Sequence, residues 1–266
     1  MTQAFLDRED IKQRIWISDS EVFKHDTLWV VKHYLTSETL YFHNDSQGVA
    51  DFIAEYNPIL VGYNFRDYDS YILKATLLGW TPEETQQVSL TIIQQSLADV
   101  WQMFKGEPWV TLPPIIDLFH DIVPRRGLKQ IEANLGMSIV ESNVDFMLER
   151  ELTDTEFQDV LKYCVHDVDA TEVLFNLRKD NYVASKALLA ELAGLDPLEY
   201  MKHTNARVVS EALQAQRIEE LPYEEYEPPT NVNLDAIPQA VLDYFRATTT
   251  NNCLDKGDTG VEFDWF

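Results

Sequence analysis

Residues 161–175 read Leu161-Lys-Tyr-Cys-Val-His-Asp-Val-Asp-Ala-Thr-Glu-Val-Leu-Phe175. Leu161, Cys164, Val165, Val168 and Val173-Leu174 fall on or near one helical stripe, and no Gly or Pro interrupts it. On that helix Tyr163 and Asp167, four apart, stand one above the other on the same face. A phenol beside a carboxylate has an ordinary reading, a half-buried tyrosine on an amphipathic helix. Two acidic segments upstream give it weight: Asp19-Ser-Glu21 at the end of an apolar run, and Asn64-Phe-Arg-Asp-Tyr-Asp69 just after another.

Working back from this helix, Gln13–Phe23, Leu28–Leu35 and Thr39–His43 read as three strands at short spacing, an antiparallel meander. Gln47–Tyr56 is an amphipathic helix stopped by Asn57-Pro58. Ile59-Leu-Val-Gly-Tyr63 is short and continuously apolar, as a strand buried on both faces must be. Asp69–Gly79 is helical with Gly79 at its C-cap, and Thr81-Pro82 opens a further helix. After Pro113-Pro114, Ile115–Phe119 is a last strand. Gly127–Gly136 is a short helix, and Thr153 or Asp154 caps the long one. The order predicts an α/β fold, a sheet with helices on its faces. Beyond Arg178 only helices are expected, over Tyr182–Ala193, His203–Arg217 and Pro238–Arg246, with Glu219–Pro229 a linker or surface loop. The predicted organisation is a domain over 1–178, a helical extension over 179–247, and a polar tail over 248–266 that reads as the start of a further domain.

Composition bounds the function. The chain has 266 residues with 12 Tyr, 13 Phe and 6 Trp, enough for one large domain or a smaller one with an appendage. No run of about 18 apolar residues occurs, so no membrane span is expected, and the mixed-charge start is no secretory signal. With two cysteines, one inside the key helix, neither a disulfide framework nor a cysteine zinc site is expected, and a cytoplasmic setting follows. Gly-X-Ser-X-Gly, Walker-loop and His-Glu-X-X-His patterns are absent. The net charge of −24 repels nucleic acid at long range. It reads either as solubility or as a sign that a metal or a basic partner supplies the attraction.

On a strand, Asp19 and Glu21 point to the same face. Paired carboxylates there repel each other and resist desolvation unless they face solvent where the strand frays or hold a divalent cation. Hard carboxylate oxygens suit magnesium or manganese. The Asn64–Asp69 segment follows a buried strand and so lies at the carboxyl edge of the sheet, where sites form. There Asn64 serves the turn or a substrate group, and Asp69, with Asp67 as second choice, serves a second cation.

The three segments in this order, Asp-X-Glu, Asn…Asp and Tyr-X-X-X-Asp, resemble the 3′–5′ exonucleases of the DEDD superfamily in its tyrosine branch, as in the proofreading domains of DNA polymerases. The resemblance spans about Ile15 to Leu177, with Gly127–Gly136 as a supporting segment; the helical continuation around Lys202–Leu213 is more faintly similar to phage-type polymerases. It implies an RNase H-like mixed sheet flanked by helices and two divalent ions, Mg2+ or Mn2+. Asp19, Glu21 and Asp167 would hold one ion, with Asp19 bridging to a second that Asp69 reaches. Tyr163 would orient the attacking water. His166, turned about 100° away on the helix, is read as packing or surface. The implied activity is release of nucleoside 5′-monophosphates from a DNA 3′ end, single-stranded or frayed from a primer. The implied partner is a polymerase domain in the same longer chain or a separate one, in the host cytoplasm for a phage protein. The rivals are an exoribonuclease of the same architecture and a non-catalytic interaction module. Substrate grip is expected from stacking aromatics and cations: Phe23, Phe65, Tyr68, Arg66 and the Arg125-Arg126…Lys129 cluster, with Arg66 and Lys129 foremost and Asn64 beside them.

Overall fold

A computed structural model describes residues 5–94, 97–121, 126–215 and residue 239. In chain order the elements are α1 (Glu9–Lys12), β1 (Ile15–Val22), β2 (Thr27–His33), β3 (Thr39–His43), α2 (Ser46–Tyr56) and β4 (Ile59–Gly62). There follow α3 (Asp69–Leu77), α4 (Pro82–Gln94), α5 (Leu97–Met103), β5 (Ile115–Asp117), α6 (Leu128–Asn134) and α7 (Asp154–Arg178). A π-helical turn, Lys179–Val183, then leads into α8 (Ala184–Leu192), α9 (Pro197–Tyr200) and α10 (Asn205–Ala212).

The strands form one mixed five-stranded sheet in the order β3-β2-β1-β4-β5. β1, β2 and β3 make the expected antiparallel meander, and β4 and β5 join it in parallel with β1. Alternation along β1 explains both layers. Ile15 and Ile17 face a core shared with Val160, Cys164 and Val168 of α7. Trp16 and Val22 face the other core, with Phe52 of α2, Ile72 of α3 and Val88 of α4. β4 is buried along its whole length, which is why its sequence is continuously apolar.

The helix boundaries follow local chemistry. Asn57 closes α2 in the left-handed conformation (φ 43°), and Gly79 takes φ 75° just past α3. Thr153 is the N-cap of α7: its hydroxyl accepts the N–H of Glu156, whose carboxylate in turn accepts the N–H of Thr153. The buried stripe of α7 runs through Val160, Cys164, Asp167-Val168, Thr171 and Leu174-Phe175, whereas Val173, expected near it, is exposed.

The helices after Arg178 share the core of the sheet, since Tyr182, Val183, Ala187 and Met201 pack in the cluster that holds Phe5 and Phe175. The boundary read at 178/179 therefore falls within one continuous core, and Met1–Gln214 makes one compact unit. The expected linker at Glu219–Pro229, all of the expected helix Pro238–Arg246 except Gln239, and the tail from 248 lie outside the described residues, as does Arg125. Among the described residues no helix is long and apolar enough to cross a membrane.

Candidate metal centre

β1 outruns its parallel neighbour. Its pairing with β4 ends at Ile17 opposite Val61, while its pairing with β2 continues to Val22 opposite Thr27. One edge of β1 beyond Ile17 is thereby vacated at the carboxyl end of the sheet. Asp19 and Glu21 continue the face begun by Ile15 and Ile17, so they point toward α7. Asp19 is partly buried and Glu21 buried. Cys164 of α7 closes over this pair, with its Sγ 3.8 Å from Asp19 Oδ2.

The turn after β4 carries Asp69 to the same end. Asp117 at the end of β5 builds that turn by accepting the N–H groups of Asn64 (3.1 Å), Arg66 (2.8 Å) and Phe119 (2.9 Å). Asn64 itself sits at φ 60°, a conformation asparagine tolerates. Asp69 is buried at the first turn of α3 and accepts a hydrogen bond from Ser20 Oγ, on the strand between Asp19 and Glu21. Of the two carboxylates that the sequence left open, Asp69 is the one that joins the cluster. Asp67 turns to Arg66 (3.0 Å) and His120 (3.2 Å).

Asp167 arrives from α7 and is buried. Its Oδ1 accepts a hydrogen bond from Lys129 Nζ. The same ammonium lies 3.2 Å from Glu132 Oε1 and 4.7 Å from the centroid of the Tyr163 ring. Behind it, Glu132 is buried with its Oε2 lacking a hydrogen bond, 3.7 Å from His166 Nε2. His166 is thus partly buried against an acid on α6.

The electrostatics follow from burial and crowding. Desolvation, then the charges of Asp69, Glu21 and Asp167, push the Asp19 carboxyl well above the usual range. Desolvation and the charges of Asp167 and Asp69 do the same to Glu21. Burial raises Asp69 to about 7 against the opposing Ser20 bond. Burial raises Asp167 too, although Lys129 opposes it. Burial and the Asp167 charge keep the Tyr163 phenol protonated far up the pH scale. Four buried or partly buried carboxylates, of which Asp19 and Glu21 are further hindered by the charges of Asp69 and Asp167, offer only hard oxygens and are suited to hold divalent cations. Ligand atoms of Asp19, Glu21 and Cys164 lie within 4.8 Å of one another, as do those of Glu132, His166 and Asp167. The Lys129 ammonium on Asp167 shows that this pocket accommodates positive charge.

The expected substrate contacts fare differently. Lys129 is at the centre of the cluster, and Arg66 is partly exposed beside Asp67. Phe23 and Phe65 are corrected: both are buried, Phe23 stacked on Phe146 at 5.0 Å and Phe65 packed under the turn beside Trp29 at 6.2 Å, so neither offers a face to a base. Tyr68 is tied to Ser89 Oγ at 2.7 Å. Sequence reasoning passed over Asp117 and Glu132. An acid ending the apolar run Ile115-Ile-Asp117 repeats the signal used for Asp19, and Lys129–Glu132 is a helical i,i+3 pair. Comparison of the chain with family models, curated proteins and solved structures finds no match.

Proposed function

We propose that the chain is a metal-dependent 3′–5′ exodeoxyribonuclease of RNase H-like fold. The observation that carries this reading is the meeting of Asp19, Glu21, Asp69 and Asp167, from three separated segments, at the carboxyl end of one sheet, with Tyr163 one helical turn from Asp167. The strand order, with β2 alone running against the rest, supports the fold assignment.

Two divalent cations, Mg2+ or Mn2+, would supply a nucleophilic water and charge stabilisation for the leaving oxygen at neutral pH. Asp19, Glu21 and Asp167 are the residues to hold one, and Asp19 with Asp69 the other. Tyr163, still protonated, would orient the attacking water by a hydrogen bond from its phenol. Lys129 would leave Asp167 to the cation while remaining beside Glu132 and the Tyr163 ring, an ammonium next to the reacting phosphate. Arg66, on the turn that presents Asp69, is placed to meet the strand, and Asn64 shapes that turn. The products would be nucleoside 5′-monophosphates. The strong overall acidity favours delivery of the DNA 3′ end by a polymerase domain, in the same longer chain or as a partner, over capture from solution.

The test uses a primer–template with a 3′ mismatch and the matching single strand, labelled at the 5′ end, with Mg2+, Mn2+ or EDTA. A metal-dependent ladder shortening from the 3′ end, abolished by Asp167→Ala and lowered about a hundred-fold by Tyr163→Phe, is the expected result. Shortening of an RNA strand alone would move the substrate to RNA. No cleavage of either would leave a binding module.

A further inference from the structure

Among the described residues the most exposed large apolar side chain lies outside this site. Trp109 is 87% exposed and Trp101 58% exposed. Leaving two indoles in water forgoes burial of a large apolar area, so they have no core role. They line a shallow pocket of about 340 Å³ together with Phe104, Lys74 and Lys105. Its floor is rigid, because Phe104 is buried and stacked on Trp80 at 4.8 Å with the rings 10° from parallel. Lys74 Nζ lies 4.3 Å from the centroid of Phe104 and 5.6 Å from that of Trp101. Among the described residues neither Lys74 nor Lys105 makes an ion pair, although the chain carries 45 acidic side chains, and Glu107 is the one acid lining the pocket.

Helix α3 connects this face to the carboxylate cluster, since it carries Asp69 as well as Tyr71 and Lys74. α3 starts at Asp69 and presents Tyr71 two residues later, within electrostatic reach of Arg66 and Asp67. The Tyr71 ring meets Trp101 edge-on at 6.0 Å, and Lys74 comes from the next turn of the same helix. Tyr71 and Lys74 of α3 thus both meet Trp101 on this face.

We propose that this pocket is a binding site for single-stranded nucleic acid, whose bases stack on Trp101 and Trp109 while Lys74 and Lys105 meet its phosphates. Exposed indoles and unpaired cations on an otherwise acidic protein are what a sequence-tolerant single-strand platform needs. The inference deepens the nuclease reading by giving the strand leading to the 3′ end a place to lie. It rests on that reading for the strand's course, not for binding itself.

The test is carried out on the full chain in EDTA, with an oligothymidylate about eight nucleotides long and tryptophan fluorescence as readout. Quenching that weakens with salt, with affinity lowered about ten-fold or more by Trp109→Ala and by Lys105→Ala, is expected. Both side chains are exposed, so folding is not at risk. Parent-like affinity in both variants overturns the proposal, as does quenching that proves, by sedimentation without oligonucleotide, to be self-association through Trp109. Hydrolysis of the p-nitrophenyl ester of thymidine 5′-monophosphate, too small to reach the platform, is followed in parallel with Mg2+ or Mn2+. Unhydrolysed ester with Trp109-dependent binding sinks the nuclease reading and keeps the platform. Hydrolysed ester with unchanged binding does the reverse.

Discussion

Lys129 donates a hydrogen bond to Asp167 across 38 residues of sequence, joining α6 to the helix that carries Tyr163. The pair sets an ammonium where four crowded carboxylates need positive charge, so in the metal-free protein it serves as the local counter-ion.

Replacing Lys129 by Met leaves Asp167 and Glu132 buried without that partner. The metal-free variant should lose about 3 kcal/mol, the usual cost of breaking a buried pair. Added Mg2+ should restore part of the loss, because a cation on Asp167 replaces the missing charge. Thermal melts in EDTA and in Mg2+ check this, and equal metal-induced shifts in parent and variant would count against a cation at Asp167.

The stability of the metal-free protein should fall as pH rises from about 4 to about 7. Asp69 is raised to about 7 in the folded chain, so over this range the folded state binds more protons than the unfolded one, whose carboxyl titrates near 4. The loss is on the order of 4 kcal/mol for a shift of about three units. Saturating Mg2+, which favours the ionised carboxylates, should flatten the slope. Urea midpoints across this range in EDTA give the answer, and a midpoint that climbs with pH would mean that burial does not hold Asp69 protonated in the folded chain.

Gly62→Ala should disturb the site through the turn. A Cβ there would stand 2.5 Å from Phe65 Cδ2 and 2.9 Å from Phe65 Cβ. Phe65 is wholly buried and has little room to yield. A destabilisation of roughly 1–3 kcal/mol is expected, with a loss of metal-dependent hydrolysis under conditions where the variant is still folded, because Asp69 follows the turn. Urea denaturation beside a cleavage assay separates the two effects. Full activity in a destabilised variant would show that Asp69 has not moved.

Thr153→Ala removes the N-cap of α7 and should cost about 1 kcal/mol. Tyr163 and Asp167 lie about three and about four turns further along the helix, so cleavage by the folded variant should match the parent. Denaturation curves and rates at low temperature test both halves, and a large rate loss would mean that helix entry sets the position of Asp167.

Strand and helix identity was legible in the sequence because burial and periodicity are local. Ile59–Gly62 had to be buried on both faces, Asn57 and Gly79 had to end helices, and Tyr163 and Asp167 had to share a face once residues 161–175 were helical. The pairing of Asp19 with Glu21 on one side of β1 followed from the two-residue period alone. Tertiary structure decided what depends on which chains are neighbours. Phe23 and Phe65 look like free aromatics until the sheet and the turn bury them. The helix start favoured Asp69 over Asp67 in the sequence without excluding either, and the end of β1, where Ser20 meets Asp69, separates them. Lys129, already paired with Glu132 on its own helix, becomes the partner of Asp167 only when α6 docks beside α7, a contact that no local pattern encodes.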